Sequence, residues 1–240
     1  MQALEPILQT LESFYGEQAP RWPTDPYLFL VWWHCGYPPS EERCTRGWQA
    51  LKAAIGVSPW DLASARSANL ARALKDGGMV PEIRAARLRS IAKRVREEFA
   101  GNLRAALQGL PEVEARKVLK TFPGIGAPGA DRILLFDGLA PVAAVPSNSP
   151  HVLVRIVLGR EPAGYTAAYA QAHQLLTTQV PATIAARSRA YLLLQQHGRE
   201  LCKRKSPRCG DCPVSRRCAY FASLRREARR RRRRAPARKR

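Results

Sequence analysis

The sequence predicts an all-α fold. Apolar residues recur at spacings of three and four along most of the chain, and no segment of comparable length alternates apolar and polar residues with a period of two. Proline and glycine stand between these segments, as at 77–78 and 123–124, which is typical of short turns between helices. With 240 residues, 45% of them hydrophobic, the chain is long enough for one large domain or two small ones.

The predicted helices fill most of the chain before residue 202. Alanine, leucine, arginine and glutamate, which have high helix propensity, occupy the positions between the apolar residues. In chain order the predicted helices are 3–15, 26–35, 42–54, 59–75, 82–99, 101–109, 112–120, 129–136, 150–159, 165–178, 181–186 and 187–201. The last stretch, 223–240, has eleven Lys or Arg and one Glu. Because like charges repel and little there can be buried, it is predicted to be a disordered basic tail.

The net charge is +21, of which the tail contributes +10 and the body +11. A body that is itself basic favours nucleic acid over a membrane surface as the partner. The longest strongly apolar run, 27–33, is far shorter than the roughly 20 residues of a membrane-spanning helix. Glu5 stands where a signal peptide would carry Lys or Arg. We therefore expect no membrane association, and a cytoplasmic location on the nucleoid.

Four of the six cysteines are separated by only six, two and five residues: Cys202, Cys209, Cys212 and Cys218. In a reducing compartment, closely spaced thiols are more often metal ligands or buried side chains than disulfides. Four thiolates suit an iron–sulfur cluster or zinc, but a structural zinc site more often has two tight cysteine pairs, and only one is present. The spacing therefore favours a [4Fe–4S] cluster, with zinc or four unrelated buried thiols as alternatives.

A glycine-rich turn, 122–126, separates two of the predicted helices. Gly124 and Gly126 permit a tight bend of the backbone, and Ile125 between them can anchor the turn in the core. The amide groups at the start of the next helix can hold a phosphate oxygen. We expect these three residues to contact DNA, with an ordinary turn between helices as the alternative.

The turn and the cysteine loop together resemble the endonuclease III branch of the helix-hairpin-helix (HhH-GPD) DNA glycosylases. The resemblance rests on the sequence 197–202, on 207–213, on the closing Cys218, and on the turn about eighty residues upstream. It implies that double-stranded DNA binds across a groove between two helical lobes and that a damaged base is turned out into a pocket there. We expect the protein to act as a monomer.

The same resemblance implies a division of the chain into domains. A six-helix lobe with the hairpin is expected at 27–138, and a lobe holding a [4Fe–4S] cluster is expected from 1–26 and 139–222 together. The cluster would fix a loop whose basic residues meet DNA phosphates. Six basic residues stand in or beside that loop, with a solvated basic face as the alternative for the set: Lys203, Arg204, Lys205, Arg208, Arg216 and Arg217. The first four are the predicted DNA-binding residues.

The catalytic lysine and aspartate of the family have no counterpart in this sequence. Pro128 stands at the position of the lysine and Pro146 at that of the aspartate, with a short insertion after it. The nearest groups that could serve instead are Asp137, Asp131 and His151. Each has an ordinary alternative role, respectively as a turn residue, a solvent-facing helix residue and an early helix residue.

An aromatic segment replaces the family sequence that borders the extruded base. It contains Trp32, Trp33, His34 and Tyr37, which resemble the aromatic pockets of alkylpurine glycosylases. A base alkylated on a ring nitrogen is a flat cation and a good leaving group, so aromatic faces could recognise it. The alternative is that the tryptophans pack in the core, which we expect for at least one of them.

Two functions follow from these observations. The first is a base-excision-repair DNA glycosylase that acts on a damaged, possibly alkylated base with unusual catalytic residues and without lyase activity of the lysine type. The second is a catalytically silent protein of the same fold that binds DNA or its lesions, because proline at both catalytic positions is also what loss of catalysis would leave.

Overall fold

A computed structural model describes residues 3–234, and its all-α fold confirms the predicted class. Within that range there is no β-strand, and the one isolated bridge joins Tyr37 to Gly78. The α-helices are α1 (Glu5–Tyr15), α2 (Pro26–His34), α3 (Glu41–Ala54), α4 (Pro59–Ser64), α5 (Ser67–Ala73), α6 (Pro81–Glu98), α7 (Leu103–Gln108), α8 (Glu112–Lys120), α9 (Ala127–Phe136), α10 (Pro150–Leu158), α11 (Tyr165–Gln179), α12 (Ile184–Glu200) and α13 (Ala219–Arg234). None of the helices in this part of the chain is long and apolar enough to cross a bilayer.

The helix boundaries follow local capping chemistry. The Asp25 side chain accepts a hydrogen bond from the Leu28 amide at the start of α2, and Ser58 forms a capping box with Asp61 at the start of α4. The single helix predicted over 59–75 is wrong, because the backbone is extended at residues 65–66 and separates α4 from α5. The helices predicted at 181–186 and 187–201 are one helix, α12, which begins after its cap at residue 183.

The chain divides into two compact units, Pro20–Ala140 and a unit formed by both ends of the chain. The first unit begins before the predicted boundary at residue 27. Trp22 explains this difference, because its ring lies 5.1 Å from the Phe136 ring and 6.4 Å from the Trp32 ring, measured between centroids. Residues 20–26 therefore belong to the first unit.

The first unit has a core on one face of α6, where Leu88, Ile91 and Val95 are buried. Arg84, on the same helix, is also buried, and all its hydrogen-bond acceptors are backbone carbonyl oxygens. Its guanidinium donates to the carbonyl oxygens of residues 35, 74, 78 and 79 at 2.6–2.9 Å. Arg84 therefore ties the end of α2 to the turn that precedes α6.

The second unit is built around α10, whose residues from Pro150 to Val157 are all buried. It packs against α11, α12 and α13. The buried residues of α1, including Leu8 and Leu11, join the same core, so the two ends of the chain fold together.

The prediction of a disordered tail at 223–240 is wrong for residues 223–234, which belong to α13. Tyr220 and Phe221 at its start pack against the core of the second unit. The Tyr220 ring also lies 4.8 Å from the Arg155 guanidinium carbon. Because arginine and alanine are good helix formers, a helix that is anchored in this way continues into the arginine run. Residues 235–240 lie outside the described part of the chain.

Candidate functional site

The predicted hairpin is a turn between α8 and α9. Gly124 has a φ of 69°, in the left-handed region that glycine adopts without strain, and Ile125 is buried as expected. Gly126 precedes the first residue of α9, and Pro128 lies in the first turn of that helix. A proline in the first turn is compatible with the helix, because the amides there have no partner within it. The amides of this turn are the groups that could hold a phosphate.

His34 lies directly against this hairpin. Its Nε2–H donates to the Pro123 carbonyl oxygen at 2.8 Å. Burial lowers the pKa of His34 to about 4, so the ring is neutral at physiological pH. A Cβ atom added to Gly124 would lie 3.2 Å from the His34 ring. His34 therefore supports the hairpin, and its role in a base pocket stays a prediction.

The two tryptophans of the aromatic segment lie in the first unit. Trp32 is 1% exposed and its Nε1 donates to the Thr45 hydroxyl at 3.3 Å, so it is a core residue and does not line a base pocket as predicted. Trp33 is half-buried and stacks on Phe29 with an angle of 15° between the ring planes. Arg132 already places its guanidinium 3.5 Å above the Trp22 ring in the same cluster.

Tyr37, by contrast, is 44% exposed and stands beside an exposed residue that the sequence did not single out, Met79, at 63%. The Met79 amide donates to the Tyr37 carbonyl at 3.0 Å, and the Tyr37 amide donates to the Gly77 carbonyl at 3.0 Å. We call this pair the Tyr37–Met79 ridge. The only hint in the sequence is an apolar pair, 79–80, between turn residues.

The backbone that carries the ridge is strained and firmly held. Val80 has a φ of 50°, which is unusual for a β-branched residue because its side chain crowds the backbone there. Arg84 donates hydrogen bonds to the carbonyl oxygens of Gly78 and Met79, which hold the backbone of this turn in place. The ridge is therefore a pair of exposed apolar side chains on a rigid support.

The two acidic candidates for catalysis are both held in ion pairs. Asp131 is buried, and its Oδ1 lies 2.6 Å from Arg116 Nε, so it is not the solvent-facing residue that its alternative interpretation expected. Asp137 ends α9 and lies 3.1 Å from Arg104 Nε, with its side chain 4% exposed. Burial raises the pKa of Asp137 to about 6, although Arg104 opposes this shift.

The four cysteines of the loop, Cys202, Cys209, Cys212 and Cys218, all line one small cavity in the second unit. Within residues 3–234, no three His, Cys, Asp or Glu side chains are grouped closely enough to hold a single metal ion. His197 lies between α1 and this cavity, with Nδ1 3.0 Å from the Tyr15 hydroxyl and Nε2 3.7 Å from Cys212 Sγ.

The cysteine loop is fastened to α10 through its backbone. Arg155 donates to the carbonyl oxygens of Lys203 at 3.0 Å and Arg204 at 2.8 Å, and its guanidinium lies 3.8 Å from Cys202 Sγ. His151 Nε2–H donates to the Cys202 carbonyl at 2.8 Å. Burial raises the pKa of the Cys202 thiol, and the neighbouring Arg155 opposes this shift by favouring the thiolate, which is the form that binds metal.

The four predicted DNA-binding residues of this loop have exposed side chains: Lys203, Arg204, Lys205 and Arg208. Two of them take part in ion pairs, since Arg208 lies 2.9 Å from Asp211 and Arg204 lies 3.5 Å from Glu161. Both guanidinium groups are exposed, so each can exchange its partner for another anion.

A second cavity in the same unit, of about 250 Å³, follows Pro146 in the chain. Pro146 itself is buried in a segment without helix or strand. The cavity is lined by Ser147, Asn148, Pro150, His151, Tyr165, Ala168 and Arg204. Of the three predicted catalytic candidates, His151 is the one that borders this cavity. Sequence reasoning missed Tyr165, because nothing local connects it to residues 147–151.

Neither family models nor curated protein sequences match the chain. Solved structures do match it. One is a trapped endonuclease III–DNA covalent intermediate, with a TM-score of 0.72, 16% identity, and coverage of 94% of this chain and 100% of the other. The chain has the helix-hairpin-helix glycosylase fold.

Two further solved structures that match the chain are of glycosylases named for different bases. A thermostable thymine-DNA glycosylase matches with a TM-score of 0.69 and 19% identity over 91% of this chain and 96% of the other. An H. pylori 3-methyladenine DNA glycosylase bound to 1,N6-ethenoadenine matches with a TM-score of 0.59 and 18% identity over 83% of this chain and 98% of the other. At these identities the likeness establishes the fold.

Proposed function

We propose that the protein is a base-excision DNA glycosylase that releases a damaged base from double-stranded DNA. The observation that carries this proposal is the fold, which it shares over most of its length with glycosylases solved on DNA. The Tyr37–Met79 ridge supports it independently. Apolar side chains on a rigid turn can enter a base step and unstack it, which is what extrusion of a base requires.

The proposed reaction is hydrolysis by water. Water would attack the sugar carbon as the glycosidic bond breaks, the base would leave with the bonding electrons, and the proton lost by the water would pass to the solvent. Pro128 and Pro146 offer neither the amine nor the carboxylate of the family positions, so we expect no Schiff base and no lyase activity of the lysine type. An alkylated base is the favoured substrate, because its positive charge makes it leave with less acid–base assistance.

We also propose that Cys202, Cys209, Cys212 and Cys218 hold a [4Fe–4S] cluster. Their common cavity and the neighbouring Arg155 fit this group, because each thiolate binds a different iron of the cluster and so the four need not converge on one ion. Bound there, the cluster would cross-link the loop and could exchange an electron. The loop would then present Lys203 and its basic neighbours to DNA phosphates.

The test of the proposed function uses purified protein and duplexes that each carry one lesion, including a 3-methyladenine or ethenoadenine site. Loss of the base, revealed as strand cleavage only after treatment with alkali, is the expected result. Cleavage without alkali would contradict the absence of lyase activity. A Tyr37→Ala, Met79→Ala double variant should lose most of the rate of base release. Ile83→Ala is the control, because Ile83 is an exposed apolar residue on α6 outside the ridge.

The alternative is a silent protein that binds lesions, and the two prolines at the catalytic positions favour it. In that case every lesion stays intact after prolonged incubation, while binding to the duplex saturates. Loss of binding in the Tyr37→Ala, Met79→Ala variant would then show that the ridge recognises DNA without chemistry.

A further inference from the structure

The cavity beside residues 147–151 has the electrostatic character of an anion site. Its lining includes one cationic side chain, Arg204, and no Asp or Glu. The hydroxyl groups of Ser147 and Tyr165 and the amide of Asn148 are further hydrogen-bond donors in the lining. All these residues belong to the unit formed by the two chain ends, so the cavity is complete within it.

The first turn of α10 adds to this character. Pro150 and His151, the first two residues of this nine-residue helix, both line the cavity. The Ser149 side chain does not cap the helix, so the amide of His151 is not engaged by it. The positive end of the helix dipole therefore lies at the cavity.

Arg204 is available to a ligand although it has a carboxylate neighbour. Its backbone is held by the hydrogen bond from Arg155, which places the residue at the cavity. Glu161 is 3.5 Å from its guanidinium, a long contact, and the same carboxylate makes a closer ion pair with the buried Arg155. Because the Arg204 side chain is itself exposed and Glu161 keeps its closer partner Arg155, the Arg204 guanidinium can turn to an anion while Glu161 stays paired.

We propose that this cavity binds a phosphate monoester. A monoester carries three terminal oxygens, which can meet Arg204, the α10 amide and the hydroxyl groups at the same time. A diester inside a duplex is flanked by sugar on both sides and meets open surfaces, whereas a terminal phosphate can enter a cavity of about 250 Å³. The monoester could be the phosphorylated end of a DNA strand or a small phosphate ester. The inference does not depend on base excision.

The experiment measures binding by isothermal titration to the full-length protein, with the cysteine loop and its metal content intact. The probes are deoxycytidine 5′-monophosphate, deoxycytidine, and a short single strand with either a 5′-phosphate or a 5′-hydroxyl. The phosphorylated member of at least one pair should bind at least about tenfold more tightly. Equal binding of both members in both pairs would overturn the proposal.

Two variants test the location of the site. Arg204→Ala should remove the preference for phosphate, with a loss of about tenfold in affinity, because a charge-assisted hydrogen bond is lost. Arg160→Ala is the matched control, since it removes the same charge from the exposed residue just beyond the other end of α10. If both variants lose affinity equally, the binding is general charge attraction and the proposal fails.

The two sources of the phosphate are separated by the same titrations. Tight binding of the mononucleotide identifies a site for small esters, and a preference seen only with the phosphorylated strand identifies a site for strand ends. Because no lesion and no turnover are involved, a failure here leaves the glycosylase proposal standing, and the reverse also holds.

Discussion

At the scale of single residues, Arg84 shows how a charged side chain can hold a turn. It is buried, and its guanidinium hydrogen-bonds four carbonyl oxygens. Arg84→Met would leave these acceptors without donors, and we expect a loss of about 3 kcal/mol or more in the free energy of unfolding. Arg84→Lys should lose less, because it keeps a charge and three donors.

Urea denaturation measures this prediction. Arg89→Met is the control on the same helix, since Arg89 makes only exposed hydrogen bonds, and it should change the free energy of unfolding by less than about 0.5 kcal/mol. Equal effects of the two methionine variants would contradict the role of Arg84.

Asp137 gives stability a dependence on pH. Its pKa is raised by burial to about 6, above its ordinary value of 3.8, so the folded state holds the proton more tightly than the unfolded state. The contribution of Asp137 to stability should therefore be lost as pH rises from about 4 through 6. Asp137→Asn lacks this ionisation, and its Tm relative to wild type should rise between pH 4.5 and pH 7.5.

Asp211→Asn, at an exposed position of the cysteine loop, provides the comparison. Its Tm relative to wild type should change much less over the same interval. A constant difference for Asp137→Asn across the pH range would contradict the raised pKa.

The conformation or burial of a residue could be predicted from the sequence where neighbouring residues in the chain determine it. Gly124 and Ile125 were predicted correctly in conformation and burial, because the turn imposes them. The burial of Trp32 depends on the cluster with Trp22 and Arg132, the latter a hundred residues away, and no local pattern contains that. Met79 was missed because an apolar residue in a turn is read as ordinary.

At the scale of elements, the hairpin depends on the absence of a side chain at Gly124. Alanine there would be strained by the left-handed backbone and would press against His34 at 3.2 Å. We expect Gly124→Ala to lower the free energy of unfolding by about 1–2 kcal/mol and to weaken DNA binding.

Gly109→Ala is a suitable control, because its φ is −80° and a Cβ there meets no atom within 4 Å. It should be neutral or slightly stabilising. Thermal unfolding and fluorescence anisotropy with a labelled duplex measure the two effects, and unchanged DNA binding by Gly124→Ala would argue against a role of the hairpin in the interface.

The cysteine loop makes a prediction about iron. Cys209→Ser should reduce the iron content of anaerobically purified protein and its brown colour, because one ligand of the proposed cluster is lost. Cys44→Ser, a buried thiol of the other unit, should leave both unchanged. Wild-type protein that is colourless and free of iron would contradict the proposal of a [4Fe–4S] cluster.

The tail shows why an element can be mispredicted from its own composition. Considered alone, a run of arginines repels itself and has nothing to bury. In the structure, Tyr220 and Phe221 anchor α13 on the core before the run begins, and the helix then extends through residues with high helix propensity. The anchor depends on contacts with α10, which lie outside the segment.

At the scale of the whole molecule, helical periodicity was enough to predict the fold class. It could not predict that both chain ends form one unit, because Glu12 on α1 and Arg189 on α12 are 177 positions apart and meet only in the folded chain. That expectation came from the family resemblance, which the positions of glycine and cysteine carried.

The net charge of +21 makes a last prediction about DNA binding. Removing residues 223–240 removes eleven cations and one acid but keeps Tyr220 and Phe221, so the core of the second unit should remain folded. Each phosphate contact that is lost should reduce the slope of log affinity against log salt by about 0.9. The truncated protein should therefore bind an undamaged duplex more weakly at low salt, with a slope flatter by several contacts.

Anisotropy titrations between low and moderate salt measure both quantities, and circular dichroism and iron content show whether the truncated protein is intact. Because the body retains a charge of +11, some dependence on salt should persist after the deletion. An unchanged slope would mean that the basic residues of α13 make no phosphate contacts. The cysteine loop and the amides of the hairpin would then be the remaining candidates for those contacts.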